Sequence, residues 1–570
     1  MTIAEYYKYA TLATAAYVRM GSKGLDGATF AAQASSDAQQ RLPIALGTRL
    51  FVKDEVTNPD PWQVLSYYGG DAPDGAGDKS GFGATLFQQG TEKVLALRGT
   101  EPTADGFVDL LSADLAQIGI LGLALTQVVS MVNLIQRLTS TAGTPVTQLK
   151  LAASVLEPAG EYLFVHGVPP MFITFSTYMA DAVGGIDVAA GEKIKVTGHS
   201  LGGHLAVMAA RLFPNLINPQ VYVYNAAGYD PSSTDILGLA ALLYPVAGAV
   251  GIASAFLVAA AKTALFAELG AATLGVLPVA NQLTEPALAF IKSLIPTGGP
   301  LAGLPQIVNL TTESIVPGDD PSVVASRVTG AEKYGPQIEI PTEANSHAME
   351  VSMDSLALHA LLYKLAPDLY QRNSAGQYDQ VERLMQMASN TLAASEERLT
   401  EALFRLLAPN SKLLSGTADL KISDATGFIS GNIKAGKGDI TARNQFHDAV
   451  LRIQDAIKDR TDLRLVSLAD KSADGLKNLA IDGDVDAMAY RYALKNLNPF
   501  AVFGAATLYQ PHNANGELNL YAPAARTGAL SAEYLLDRAK FLTWKVQVNT
   551  LDAPNVAFSS DSQTWSFEDR

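Results

Sequence analysis

The sequence predicts an α/β protein with a mainly parallel sheet, and three observations carry that prediction. Short β-branched and aromatic runs alternate with helix-length apolar patterns through the first 370 of its 570 residues. One run, Lys193–Thr197 (KIKVT), leads straight into a Gly-rich turn and then a helical pattern. After Pro367 the alternation stops and polar amphipathic helices take over. Residues 1–370 are therefore expected to form one α/β domain, and 371–570 a mostly helical accessory domain.

Taken in order, Gln63–Tyr68, Phe82–Gln88 and Lys93–Leu97 are β-rich, with Gly90 in a hairpin between the last two. Lys193–Thr197 follows, then a helix over Leu201–Phe213 that Pro214 ends. Val221–Asn225 and Ile307–Thr312 are further strands, and Gln337–Thr342 (QIEIPT) is strand-like before a helix that opens through Asn345–Glu350. Tyr378–Leu407 reads as one or two amphipathic helices, followed by a Gly/Ser/Asp-rich passage over Ser423–Asp439.

Two interruptions of the α/β pattern carry no charge: Leu115–Gln136, and Ile236–Ala261, which runs on through an Ala-rich stretch to Val279. By length the second could cross a bilayer. Pro245 and several glycines break it, however, and strands of one sheet flank it on both sides. A membrane span, buried core helices and a lid-like cover all fit its composition. The reading favours lid-like insertions over about 115–136 and 231–300.

Composition narrows the function. At 48% hydrophobic and 17% charged the chain is richer in apolar residues than an average soluble domain. A net charge of −15 gives it no electrostatic footprint for nucleic acid. Cysteine is absent, which removes disulfides, thiolate metal sites and a cysteine nucleophile. The first residues, MTIAEYYKYATLATAAYVRMG, lack the basic and compact apolar regions of a signal peptide. Secretion without a cleaved N-terminal signal is expected, with the cytoplasm as the alternative.

The chemistry is concentrated at Gly198-His199-Ser200-Leu201-Gly202, a G-x-S-x-G in the strand–turn–helix setting that this motif requires. A nucleophile at a sharp turn leaves no room for side chains two residues away, and glycine removes them. The helix that follows would aim backbone N–H groups at a developing oxyanion, with Leu201 N–H as one donor. A serine hydroxyl needs a base. Among the downstream histidines, His359 lies within a helical pattern and His447 and His512 fall in the second domain, which leaves His347 as the base. Asp320 is favoured as the acid, with Asp319 and Glu313 as alternatives, because all three follow Ile307–Thr312 and precede His347. Thr100, just after the strand that ends near Leu97, is the second oxyanion donor, and Arg98 beside it could equally be an ion-pair residue.

Leu97–Pro102 (LRGTEP), Val165–Gly167 (VHG) and Gly198–Ala206 (GHSLGGHLA), in that order, resemble the class 3, or fungal-type, lipases of the α/β-hydrolase superfamily. That resemblance implies an α/β-hydrolase fold, with Ser200 as nucleophile and Thr100 and Leu201 as the oxyanion residues. His166 lacks the family's usual spacer and is expected to be structural. The family's Asp-x-Val-Pro acid motif aligns with Ser314-Ile315-Val316-Pro317, so Ser314 stands where its aspartate belongs. Ser346–Leu362 and Tyr492–Ala505 also resemble the lipase-like N-terminal parts of bacterial proteins with calcium-binding glycine-rich repeats, which are exported without a cleaved signal. No such repeats occur here, so the chain reads as a repeat-free or a shortened relative. The resemblance is specific over 95–205 and looser over 306–370 and 480–545.

The expected function is thus a serine carboxylester hydrolase that meets lipid esters, such as triacylglycerols or phospholipids, at a lipid–water interface. A polyester hydrolase or acyltransferase would use the same machinery. A membrane-inserting, toxin-like protein with a residual hydrolase fold is the competing class. No cofactor is required. Asp482-Gly483-Asp484-Val485-Asp486 has calcium-like acidic spacing but lacks the EF-hand glycine and final glutamate, so a surface loop or helix cap is expected there and no metal site.

Overall fold

A computed structural model describes residues 2–69, 82–99, 125–154, 163–165, 171–227, 306–314, 337–342, 348–388, 395–413 and 440–550, apart from isolated positions. The chain divides into two compact units, Met1–Thr311 with Ser322–Ile338 and Thr312–Pro321 with Glu339–Arg570.

The first unit begins with helix α1 (Ile3–Ala15). A capping box starts it: Thr2 Oγ1 accepts the Glu5 N–H, and the Glu5 carboxylate accepts the Thr2 N–H. Helices α2 (Gly27–Ala34) and α3 (Ile44–Phe51) precede strands β1 (Gln63–Tyr68), β2 (Gly83–Gln89) and β3 (Glu92–Arg98). These strands form an antiparallel meander, and Gly90 makes the β2–β3 turn at φ +54°, a conformation that glycine adopts without strain. Helix α4 (Leu125–Thr139) leads to β4 (Pro145–Ser154), β5 (Leu163–Val165) and β6 (Met171–Asp181), a separate three-stranded antiparallel sheet in the order β4-β6-β5. The main sheet then continues with β7 (Ile194–His199), helix α5 (Leu201–Leu212), β8 (Ile217–Tyr224), β9 (Gln306–Ser314) and β10 (Gln337–Thr342).

Seven strands lie in the order β1-β2-β3-β7-β8-β9-β10. Pairing is parallel from β3 through β7 and β8 to β9. The protein is therefore a mixed α/β structure whose central sheet is mostly parallel, as the alternating pattern predicts. The central strands are buried on both faces, and β8 shows how the sequence achieves this. In Val221-Tyr222-Val223-Tyr224 the two valines join a core with Leu95, Leu97 and Val196. The alternate tyrosines face α1, where the Tyr222 ring stacks on Tyr9 at 4.1 Å and the Tyr224 hydroxyl donates to the Tyr6 carbonyl. Lys195 of β7 donates to the Tyr9 hydroxyl, which itself donates to Glu92 of β3, so α1 is held to the sheet by polar as well as apolar contacts.

Helix α4 corrects one expectation. Of the uncharged stretch 115–136, expected to be lid-like, only 125–136 are described, and within this helix Val128, Met131 and Ile135, with Leu138 just past that stretch, are buried in the main core with Leu205 and Met208 of α5. Their spacing of three and four residues makes one apolar helix face, and that face covers the sheet. Residues 100–124 and the second insertion, 231–300, lie outside the described residues.

The second unit contains α6 (Met349–Leu365), a 3-10 turn at Pro367–Tyr370, α7 (Asp379–Ala388), α8 (Ser395–Leu407), α9 (Ile440–Ile457), α10 (Ala473–Ile481), α11 (Ala487–Asn496) and α12 (Ala532–Thr550). Two short strands, β11 (Arg464–Ser467) and β12 (Phe500–Phe503), pair antiparallel among them. The division at residue 339 assigns α6 to this unit, where it packs on α8 and α9. Asp354 of α6 is fully buried and accepts from Arg443 Nε at 2.7 Å and from His447 Nε2 at 2.6 Å. Burial pushes the Asp354 carboxyl up, but the Arg443 guanidinium and the hydrogen bonds from Arg443 and His447 outweigh it and hold the group below its ordinary range. No helix among the described residues is long and apolar enough to cross a membrane.

Candidate active site

Ser200 stands between β7 and α5 at φ +55° and ψ −125°, in the left-handed region that a side chain rarely adopts. Such a conformation costs about 1–3 kcal/mol and persists only where the surroundings enforce it. Here the backbone of Ser200 is fixed from both ends. Its N–H donates to Tyr224 O at 3.0 Å, while its carbonyl accepts from Gly203 N–H and Ala227 N–H, each at 3.0 Å, and from His204 N–H at 3.3 Å. Asn225, the first residue past β8, is also left-handed at φ +41° and donates its N–H to Leu310 O of β9.

Close approach explains the glycines around Ser200. A Cβ on Gly202 would lie 2.1 Å from Leu97 O, inside the backbone of β3, and one on Gly198 would lie 2.2 Å from Gly202 O. The motif thus brings the start of α5 against the end of β3. Ser200 does not cap α5 with its side chain. Among the described residues no acceptor takes the N–H groups of Leu201 and Gly202, which open the first turn of the helix. Those two donors and the positive end of the helix dipole suit an oxyanion.

The end of β3 meets this turn directly. A Cβ on Gly99 would lie 2.7 Å from His199 O and 3.2 Å from Ser200 Cβ. Glycine is therefore required where the chain passes Ser200. Arg98, one residue earlier, is buried, and among the described residues its Nε and Nη1 make no hydrogen bond. Sequence reasoning missed the group that joins the two segments. The Tyr17 hydroxyl accepts the Gly99 N–H at 3.0 Å and lies within hydrogen-bond distance of His199 Nδ1, at 2.8 Å. Tyr17 belongs to the segment after α1, a stretch in which the sequence shows no signal peptide and marks no site residue.

The structure brings Ser200, Leu201 and Gly99 together. Thr100, Asp319, Asp320, His347 and His166 lie outside the described residues, as does the side chain of Glu313. Strand β9 runs through Glu313 to Ser314, two residues beyond the expected end at Thr312. His359 is a buried helix residue, as its pattern predicts: its Nδ1 lies 2.8 Å from the Tyr370 hydroxyl and its Nε2 lies 2.7 Å from Pro341 O. His447 is buried beside Asp354. Asp482 and Asp486 flank an exposed turn as the C-cap of α10 and the N-cap of α11. Among the described residues no cluster of three His, Asp or Glu side chains could hold a metal ion. No family model, no curated protein and no solved structure matches this chain.

Proposed function

We propose that the chain is a serine carboxylester hydrolase of the α/β-hydrolase type that acts on lipid esters. The observation that carries the reading is Ser200 itself: a left-handed serine between a parallel strand and a helix whose first N–H groups have no described acceptor. The carboxyl ends of β3, β7 and β8 lie along one edge of the parallel sheet, and Ser200 emerges there beside Gly99. Open α/β sheets bind their ligands at such an edge.

In the proposed reaction His347 takes the Ser200 proton as Oγ attacks the ester carbonyl. The carbonyl oxygen becomes an anion held by Leu201 N–H and Thr100 N–H. Asp320, with Asp319 and Glu313 as alternatives, orients the imidazole. Collapse of the tetrahedral adduct expels the alcohol, which receives the proton from His347 and leaves an acyl-Ser200 ester. Water, deprotonated by the same histidine, attacks this ester; the second adduct collapses, the carboxylic acid leaves and His347 returns the proton to Ser200 Oγ. The steps use side chains, backbone donors and water alone. The lipid class rests on the resemblance to fungal-type lipases and on the uncharged tract 236–261, which suits an acyl chain better than a polar substrate.

Ser200→Ala should remove p-nitrophenyl ester hydrolysis and labelling by a fluorophosphonate probe while the melting temperature holds. Activity should rise with acyl-chain length and above the aggregation threshold of the ester. Undiminished turnover in the alanine variant would overturn the assignment.

A further inference from the structure

The Tyr17 hydroxyl touches the two chain segments that must stay in register for an oxyanion to be held, and it does so from an element distant in sequence. Gly99 N–H donates to it at 3.0 Å, and His199 Nδ1 lies 2.8 Å away. Tyr17 and His199 are both buried, so neither contact is exchanged readily for bulk water. Gly99 precedes Thr100, and His199 precedes Ser200 and the Leu201 N–H. One phenol therefore fixes the residue immediately before each proposed partner of the oxyanion: the loop donor on one side, and the nucleophile and helix donor on the other.

We infer that Tyr17 is a positioning residue for ester hydrolysis, setting the spacing between the loop after β3 and the Ser200 turn. The inference rests on the reading of Ser200 as the nucleophile. A ring without the hydroxyl would still fill the space between α1 and the turn, since the Arg41 guanidinium packs over its face at 5.5 Å. It would leave the Gly99 N–H without its partner and the loop free to shift by a few tenths of an ångström. Oxyanion donors act on the transition state more than on the bound ester, so such a shift lowers kcat and leaves KM in place.

The test compares wild type, Ser200→Ala and Tyr17→Phe on a soluble p-nitrophenyl ester, with inhibition by an alkyl boronic acid as a tetrahedral stand-in. Direct loss of an oxyanion donor costs about 100- to 1000-fold in kcat, so the indirect loss in Tyr17→Phe should cost about 10- to 30-fold. KM should stay within about twofold, the melting temperature within a few degrees, and boronate affinity should weaken in proportion to kcat. In a His199→Phe background, Tyr17→Phe should cost less than it does in wild type, because one of the two contacts of the phenol is already lost while the Gly99 N–H contact remains. If Ser200→Ala keeps its activity, the hydrolase reading falls and this inference falls with it. If Ser200→Ala is inactive but Tyr17→Phe turns over like wild type, only the positioning role is overturned. A Tyr17→Phe variant that loses kcat, KM and melting temperature together would assign the phenol to general stability and overturn the positioning role as well.

Discussion

A methyl group added at Gly202 would have to occupy the same space as the Leu97 carbonyl oxygen, 2.1 Å away. Backbone cannot rotate aside as a flexible side chain can, so Gly202→Ala should be destabilised by about 2–3 kcal/mol or more in urea unfolding. It should also lose fluorophosphonate labelling, because the Ser200 turn would be pushed off β3. Gly483→Ala, where nothing lies within 4 Å, should change stability by less than about 0.5 kcal/mol. At this scale the sequence was informative wherever chemistry is local. Glycines flanking Ser200 follow from steric need within a five-residue turn, and their spacing betrays them. Tyr17 could not be read in the same way, since its partner His199 is 182 residues distant and a tyrosine among apolar residues is ordinary core material.

Among the elements, helix α4 shows where composition alone misleads. An uncharged apolar stretch looks the same whether it covers a substrate or a sheet, and the distinction lies in which face has a partner. Ile135 and Leu138 are buried at 1% and 0% exposure in the main core, which decides the matter for this segment. Ile135→Ala should therefore cost about 2–4 kcal/mol of global stability in urea melts, with chain-length preference unchanged. A lid residue would behave in the opposite way. The strands were more legible, because β8 alternates Val and Tyr and β3 begins at the hairpin that Gly90 marks. Strand β9 outran its expected end by two residues, because the strongest turn signal, Pro317-Gly318-Asp319, comes only after Ser314.

Across the whole molecule, stability should depend on pH through buried histidines of the second unit. Burial pushes the His359 imidazole down from 6.5 to about 4, and burial lowers His447 as well. Both are bases kept neutral by folding, whereas the unfolded chain takes up their protons near pH 6.5. Their contribution is therefore complete above that pH and is lost as pH falls below it, for His359 between 6.5 and about 4 and by on the order of 3 kcal/mol. Urea unfolding between pH 8 and pH 4 should show this decline, and His359→Gln should flatten it. His447 has a reason for its low basicity: its Nε2 donates to Asp354, so a second proton on Nδ1 would find no described acceptor. The unit 2 ionic cluster was invisible in sequence because Asp354, Arg443 and His447 sit on helices 89 and 93 residues apart.

Helix α1 also sets a timetable for synthesis. The Tyr224 hydroxyl that donates to the Tyr6 carbonyl lies 218 residues downstream, so at ribosomal rates of about 5–20 residues per second α1 waits roughly 10–40 s for its sheet. During that interval Tyr6 and Tyr9 have no β8 to cover them. A nascent chain halted before Tyr224 should expose this helix to added protease, whereas one released beyond it should protect it. The Ser200 turn, whose backbone hangs on Tyr224 O and whose flank hangs on Tyr17, can close only after that point in translation.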